Sequence, residues 1–171
     1  MNSNITTGYI PNDQFHNIVK LTQLVSVDLL INNNGKYLLG KRRNKPAQGY
    51  LFVPGGKVYN NETICDGLKR VAMDEIGLTD LSDCHPIGLY EHIYEDNYKN
   101  NEFGTHYVVC AYEIKTNTEA DFSKFSDQHE NIVWLTPEEI LNSNEVHIFN
   151  KYYFQDNPPN LVMRSTLSSL P

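Results

Sequence analysis

The spacing of apolar residues changes repeatedly along the chain, and each change marks an element. Residues 11–20 (PNDQFHNIVK) put Phe15, Ile18 and Val19 on one side of a helical wheel with Pro11 near the start, which predicts a short N-terminal helix. Residues 24–32 (LVSVDLLIN) and 36–42 (KYLLGKR) are strand-like, and the intervening NNNG tolerates the positive φ of a hairpin turn. After a break at 46–50 comes a short apolar strand at 51–53, then Pro54-Gly55-Gly56. From Thr63 to Ile76 the residues Ile64, Leu68, Val71 and Ala72 recur at helical spacing, and Gly77 stands where a C-terminal cap needs left-handed geometry. Thr63 and Asp66 form an approximate capping box, and Gly67 costs this helix about 1 kcal/mol relative to Ala, which tertiary packing must supply.

Further along, 86–95 (PIGLYEHIYE) and 105–115 (THYVVCAYEIK) alternate like paired strands joined by an Asn-rich polar loop. A short strand at 132–135 and two short helices near 137–141 and 146–154 follow. The succession predicts an α+β domain, a mixed sheet between helices, over residues 1–156, with a loosely ordered tail at 157–171.

Composition narrows the class. A chain of 171 residues suffices for one domain that buries roughly 70% of its extended surface. No apolar run reaches membrane-span length, and the first fifteen residues lack the basic and apolar regions of a secretory leader. Cys65, Cys84 and Cys110 stand singly, without the pairing of a metal site, and read as reduced thiols. A cytoplasmic protein is expected. The net charge of −7 disfavours nucleic acids and anionic membranes, because no long basic face exists to release counterions. A small anionic ligand needs local positive charge, and residues 41–45 (KRRNK) carry the densest in the chain.

The chemistry concentrates between Gly55 and Leu78, GGKVYNNETICDGLKRVAMDEIGL. The segment resembles the Nudix box, in which a glycine loop brings backbone carbonyls to a cation and the following helix presents carboxylates to it. Gly56, Glu62, Arg70, Ala72, Glu75, Gly77 and Leu78 fall in register. Arg70 lies one turn before Asp74 and is positioned to hold an acidic neighbour. Two positions depart from the box: Val71 replaces the glutamate after the arginine, and Asp74 replaces the first of the paired glutamates. Such a helix is poor in carboxylates, and one well-held ion is the simpler expectation.

The depleted box resembles that of the GDP-mannose mannosyl hydrolases. So do LVSVD (24–28), LLGKR (38–42), PAQGYLFVPGGKV (46–58), the His92 region EHIYEDN, THYVV (105–109) and DQHENIVWLTPEE (127–139). The resemblance implies cleavage of the sugar C1–O bond of GDP-mannose or GDP-glucose, yielding GDP and free sugar with inversion, by a homodimer. It implies one magnesium ion per subunit, replaceable by manganese, held by the Gly55 carbonyl, Glu75 and Gln128. His129 becomes the general base and Arg42 the contact to the diphosphate, while Tyr9, Ile10 and Phe15 match an N-terminal segment that touches nucleotide. Asp28, His92, Arg70 and Tyr107 match further active-site positions, and Lys57 stands where the family has arginine, a point charge in place of a bidentate fork.

The chemistry is self-consistent: negative charge grows on a departing diphosphate, a cation and Arg42 neutralise it, and an imidazole with an ordinary pKa of about 6.5 takes the proton of the attacking water. Asp28, His92 and Tyr107 fit structural strand positions as well as a site, and Tyr9, Ile10 and Phe15 fit simple packing of the N-terminus. His16, His85 and His147 read as surface residues. Two other functions compete: a Nudix pyrophosphohydrolase attacking phosphorus, against which Val71 speaks, and a non-catalytic nucleotide-sugar sensor, against which Glu75, Gln128 and His129 speak.

Overall fold

The structure is a computed structural model and describes residues 10–116, 125 and 129–166. In chain order the elements are α1 (Asn12–Leu21), β1 (Leu24–Asn33), β2 (Lys36–Arg42), β3 (Leu51–Phe52), β4 (Gly55–Lys57), α2 (Ile64–Ile76), β5 (Cys84–Tyr94), β6 (Thr105–Lys115), β7 (His129–Leu135), α3 (Pro137–Asn142), α4 (Ile148–Tyr152) and β8 (Leu161–Arg164). Among the described residues these strands join one mixed sheet in the order β3-β2-β1-β6-β5-β8, with β4 on β1 and β7 on β2. The β1–β6 pair is parallel and the other pairings are antiparallel.

The sheet is covered on both faces. Val27, Leu29 and Ile31 of β1 pack with Leu68, Val71, Ala72 and Ile76 of α2, whereas Leu30 faces a second core that contains Ile140 of α3, Val146 and Tyr153. Successive side chains of a strand point to opposite faces, so a strand covered on both sides reads as a nearly unbroken apolar run. Asp28, on the Leu30 face, is the one ionisable residue in that run.

The topology opens a cleft beside Asp28. β1 pairs with β2 only at Asn32 and Asn33, next to the hairpin turn, while Ser26–Asp28 pair instead with Gly55–Lys57 of β4. β2 meanwhile turns to β3 and β7. The fork between the two halves of the sheet is lined by residues from both.

Two elements differ from the sequence expectation. Residues 55–57 form a strand, because their backbone completes β1 where β2 departs. The tail expected to be loose from residue 157 contains β8, which pairs with β5 through Gly88↔Arg164 and Leu89↔Met163. Its Val162 and Met163 are 55% and 63% exposed, so backbone pairing rather than burial holds it. No helix among the described residues is long and apolar enough to cross a membrane.

Candidate active site

The loop and helix that resemble the Nudix box are fixed by local chemistry. Thr63 Oγ1 accepts the Asp66 N–H at 3.1 Å and donates to the Asp66 carboxylate at 2.7 Å, so the aspartate takes the cap's hydroxyl instead of reaching back to its N–H. Gly77 closes the helix with φ of +66°. Arg70 does not grip Asp74 closely, at 3.9 Å. Its guanidinium instead binds Glu62 bidentately at 2.7 and 2.8 Å, donates to the Lys57 carbonyl at 2.8 Å and lies 3.8 Å over the Tyr59 ring. Glu62 also accepts the Tyr59 N–H at 2.9 Å, and these hydrogen bonds, Arg70's foremost, hold its carboxyl below the ordinary range. Gly67 is explained by the same clamp: a Cβ there would lie 3.2 Å from both Glu62 Oε2 and Val58 Cγ2. Arg70 thus locks loop to helix and is not among the residues lining the cleft.

The cleft has two connected parts. The first, of about 110 Å³, is lined by Asp28 of β1, Arg42, Phe52, Gly55, Lys57, His92 and Tyr107, among others; the second, of about 80 Å³, shares Arg42, Val53 and Gly55 with it and reaches His129. In the wall of the first part the Tyr153 hydroxyl donates to Asp28 Oδ2 at 2.6 Å and lies 3.2 Å from His92 Nε2. Burial pushes the Asp28 carboxyl up to about 6, against the opposing pull of Tyr153 and Arg42, and pushes His92 down to about 3. His92 stacks on Phe149 at 4.5 Å and 10°, which keeps its plane fixed.

His129 lies opposite Arg42 in the β2–β7 register and stacks on Phe125 with centroids 4.0 Å apart. Gly40 makes room for both rings, because a Cβ there would lie 2.6 Å from His129 Cβ and from Phe125 Cε1. Burial first, and then the Arg42 charge, bring the His129 pKa down to about 4, so its ring is neutral near pH 7. Arg42 lies 5.3 Å over Phe52, and its Nε has no hydrogen-bond partner among the described residues.

A divalent cation such as magnesium requires hard oxygen donors. Gly55 faces Asp28 in the β1–β4 register so closely that a Cβ would come within 2.5 Å of Asp28 Oδ1. Gly56 rests on Val71, whose Cγ2 lies 2.9 Å from the place of a Cβ, and Val71 is 1% exposed. Glu75 is one turn beyond Val71 on the same face of α2. A glycine carbonyl and one carboxylate are hard oxygen donors and fit an ion that takes its remaining ligands from water and phosphate. Among the described residues no three His, Cys, Asp or Glu gather. Gln128 and Tyr9 lie outside the described residues.

Ile10 and Phe15 stand apart from the cleft, in a groove on the far side of Lys57 that also includes Val25, Tyr59 and Glu62. Phe15 packs on Tyr98 at 5.0 Å and receives the Lys57 ammonium 4.4 Å from its ring centre. Lys57 borders both spaces, and burial, followed by the Arg70 charge, lowers its pKa. His147, read from the sequence as a surface residue, is half-buried among Tyr50, Phe52, Tyr94 and Phe149 at centroid distances of 4.9–5.6 Å. His16 likewise packs on Phe103 at 4.8 Å, while His85 pairs with Asp83 at 2.6 Å. Sequence reasoning missed Phe149, Asn150 and Tyr153. The available signal was the helical spacing of Val146, Asn150 and Tyr153, which puts polar groups on an apolar, inward face.

The NUDIX domain family model matches residues 22–156. The chain belongs to the Nudix family. Nudix hydrolases act on small-molecule substrates and generally use a divalent metal such as Mg²⁺. Among curated relatives, the chain is 44% identical over 108 residues to the low-salt glycan biosynthesis protein Agl8 of Haloferax volcanii, covering 63% of this chain and 69% of Agl8. A shorter match, 41% identical over 54 residues, covers 32% of this chain and 32% of the ADP-ribose pyrophosphatase of Methanocaldococcus jannaschii. The crystal structure of the MutT NUDIX hydrolase from Burkholderia pseudomallei superposes with a TM-score of 0.65 at 22% identity, over 78% of this chain and 96% of that one, and shares the fold.

Proposed function

We propose that this Nudix protein hydrolyses GDP-mannose or GDP-glucose at sugar C1, releasing GDP and free sugar with inversion, with His129 as general base. The observation that carries the reading is a neutral, buried imidazole set beside Arg42 on the neighbouring strand, in a cleft next to a Nudix-box helix that has Val71 in place of a carboxylate. Attack on phosphorus in this family draws on several helix carboxylates, and here Val71 fills its position by packing on Gly56. A sugar-linked substrate is also supported by the glycan-building role in the name of Agl8.

In this reading the chain's own residues perform the proton and charge work. His129 takes a proton from water as that water adds to C1, and its neutral form is present at working pH because burial and Arg42 disfavour the cation. Arg42 Nε, which has no hydrogen-bond partner among the described residues, and the rest of the guanidinium donate to the diphosphate as the C1–O bond breaks. Asp28, His92, Tyr107 and Lys57 line the space left for sugar and phosphate. A magnesium ion held by the Gly55 carbonyl, Glu75 and Gln128 would supply Lewis-acid neutralisation of the leaving group. A single displacement by water inverts the anomeric centre, since retention requires a protein nucleophile. The same reading takes residues 1–156 as the catalytic domain of a cytoplasmic homodimer.

Incubating the magnesium-loaded protein with GDP-mannose and separating the products tests this. GDP plus free mannose is the expected outcome. GMP plus mannose 1-phosphate would replace the reading with a pyrophosphohydrolase, the activity in the name of the Methanocaldococcus relative.

A further inference from the structure

One turn of chain behind the cleft grips three of the elements that line it. Asn150 Oδ1 accepts the Val53 N–H at 2.8 Å, two residues before Gly55. Phe149 supports the His92 ring, and Tyr153, just past the end of α4, meets both Asp28 and His92. Tyr153 is 6% exposed, packs edge-on against Tyr90 at 4.9 Å and does not line the cleft. We propose that Tyr153 is a positioning residue for the hydrolysis, aiming the Asp28 carboxylate and fixing His92 in its Nε2–H tautomer through one shared hydroxyl.

A phenol carries one proton and two lone pairs. An ionised carboxylate only accepts, so in the 2.6 Å contact to Asp28 the proton is the hydroxyl's own and points at Oδ2. The oxygen is then an acceptor toward His92, and a neutral imidazole 3.2 Å away satisfies it only by carrying its hydrogen on Nε2. Nδ1 of His92 is left with a lone pair and can accept a hydrogen bond. The hydroxyl therefore converts the Asp28 position on β1 into a tautomer choice on β5. Losing it frees the carboxylate to rotate and lets His92 sample both tautomers, although the fold keeps the ring stacked on Phe149.

The inference rests on the cleft being the hydrolytic site, and the test separates the two. Nitrogen NMR of the full chain with labelled histidine reads the tautomer without any substrate. The wild type should show His92 neutral with its hydrogen on Nε2, and Tyr153→Phe should show a mixture. With GDP-mannose and magnesium, Tyr153→Phe should lower kcat by about 10- to 100-fold while KM changes much less. In a His92→Asn background the same change should cost clearly less, because the two act as one unit. A wild-type His92 hydrogen on Nδ1, a Tyr153→Phe kcat within about twofold of wild type, or strictly additive effects would overturn the proposal. Wild-type protein that releases GMP instead of GDP would sink the preceding functional reading, while the tautomer result would still decide this one.

Discussion

Gly40 offers the sharpest test of whether the position of His129 matters, because substitution there pushes on the ring from behind without removing any of its atoms. In Gly40→Ala the new Cβ would stand 2.6 Å from His129 Cβ, 2.6 Å from Phe125 Cε1 and 2.8 Å from His129 Cγ. Carbon atoms rest at about 3.5–4.0 Å, so the stacked rings must retreat by about 1 Å. Overpacking of this kind costs about 1–3 kcal/mol, and a domain of this size loses about 2–4 °C of Tm per kcal/mol. A displacement of about 1 Å at a reacting group costs about 100-fold in rate. Gly40→Ala should thus remain folded yet lose kcat far out of proportion to its Tm. Gly88→Ala is the control: its Cβ would lie 2.6 Å from the Met163 carbonyl oxygen at the β5–β8 edge, so it should be destabilised with kcat nearly intact. Thermal melts and steady-state hydrolysis of GDP-mannose below both transitions make the comparison. If the two variants lost activity in the same ratio to stability, His129 would not be the base.

Three further outcomes follow from the same geometry. Glu75→Gln should reduce metal-dependent turnover by orders of magnitude without lowering Tm; nearly intact turnover in a magnesium titration would remove Glu75 from the ligand set. Glu62→Gln leaves the Arg70 guanidinium facing an uncharged amide at contacts now 2.7 and 2.8 Å long, and should cost about 1–3 kcal/mol in chemical denaturation, with no loss if the clamp were idle. Acid should destabilise the fold. His92, His129 and His147 are held down to about 3, 4 and 4 by burial, so an unfolded chain binds their protons near pH 6.5 while the native one does not. The stability they contribute is complete above about pH 6.5 and is lost as pH falls toward 4. Asp28, raised to about 6, opposes this below pH 6 because the native state then holds its proton, and His147, less enclosed, adds less than the others. A net decline on the order of 1–2 kcal/mol per pH unit between pH 6 and pH 4.5 is expected, and a flat Tm across that range would contradict it.

What the sequence disclosed was mostly local. α2 was legible because its cap at Thr63, its apolar spacing and its stop at Gly77 lie within fifteen residues of one another. β4 was not, since Gly-Gly-Lys has no alternation and its pairing is dictated by Ser26–Asp28 of a distant strand. β8 buries too little side chain to leave a pattern. Helix arithmetic points Arg70 at Asp74, but the loop folds Glu62 back across the helix and offers both carboxylate oxygens. His147 reads as a surface residue because three of the aromatic rings around it, Tyr50, Phe52 and Tyr94, come from two distant parts of the chain. Asp28 and His92 could be read either as core or as site, and the structure shows why the choice was not forced: both are buried and both line the cleft. Tyr153, which joins them, left only a faint mark in the spacing of polar residues after Val146.

In the proposed reaction water adds to carbon rather than to phosphorus. Hydrolysis of GDP-mannose in isotopically labelled water, followed by mass spectrometry of both products, tests it directly. Heavy oxygen should appear on C1 of the released mannose and be absent from GDP; its appearance in a phosphate group would contradict the account.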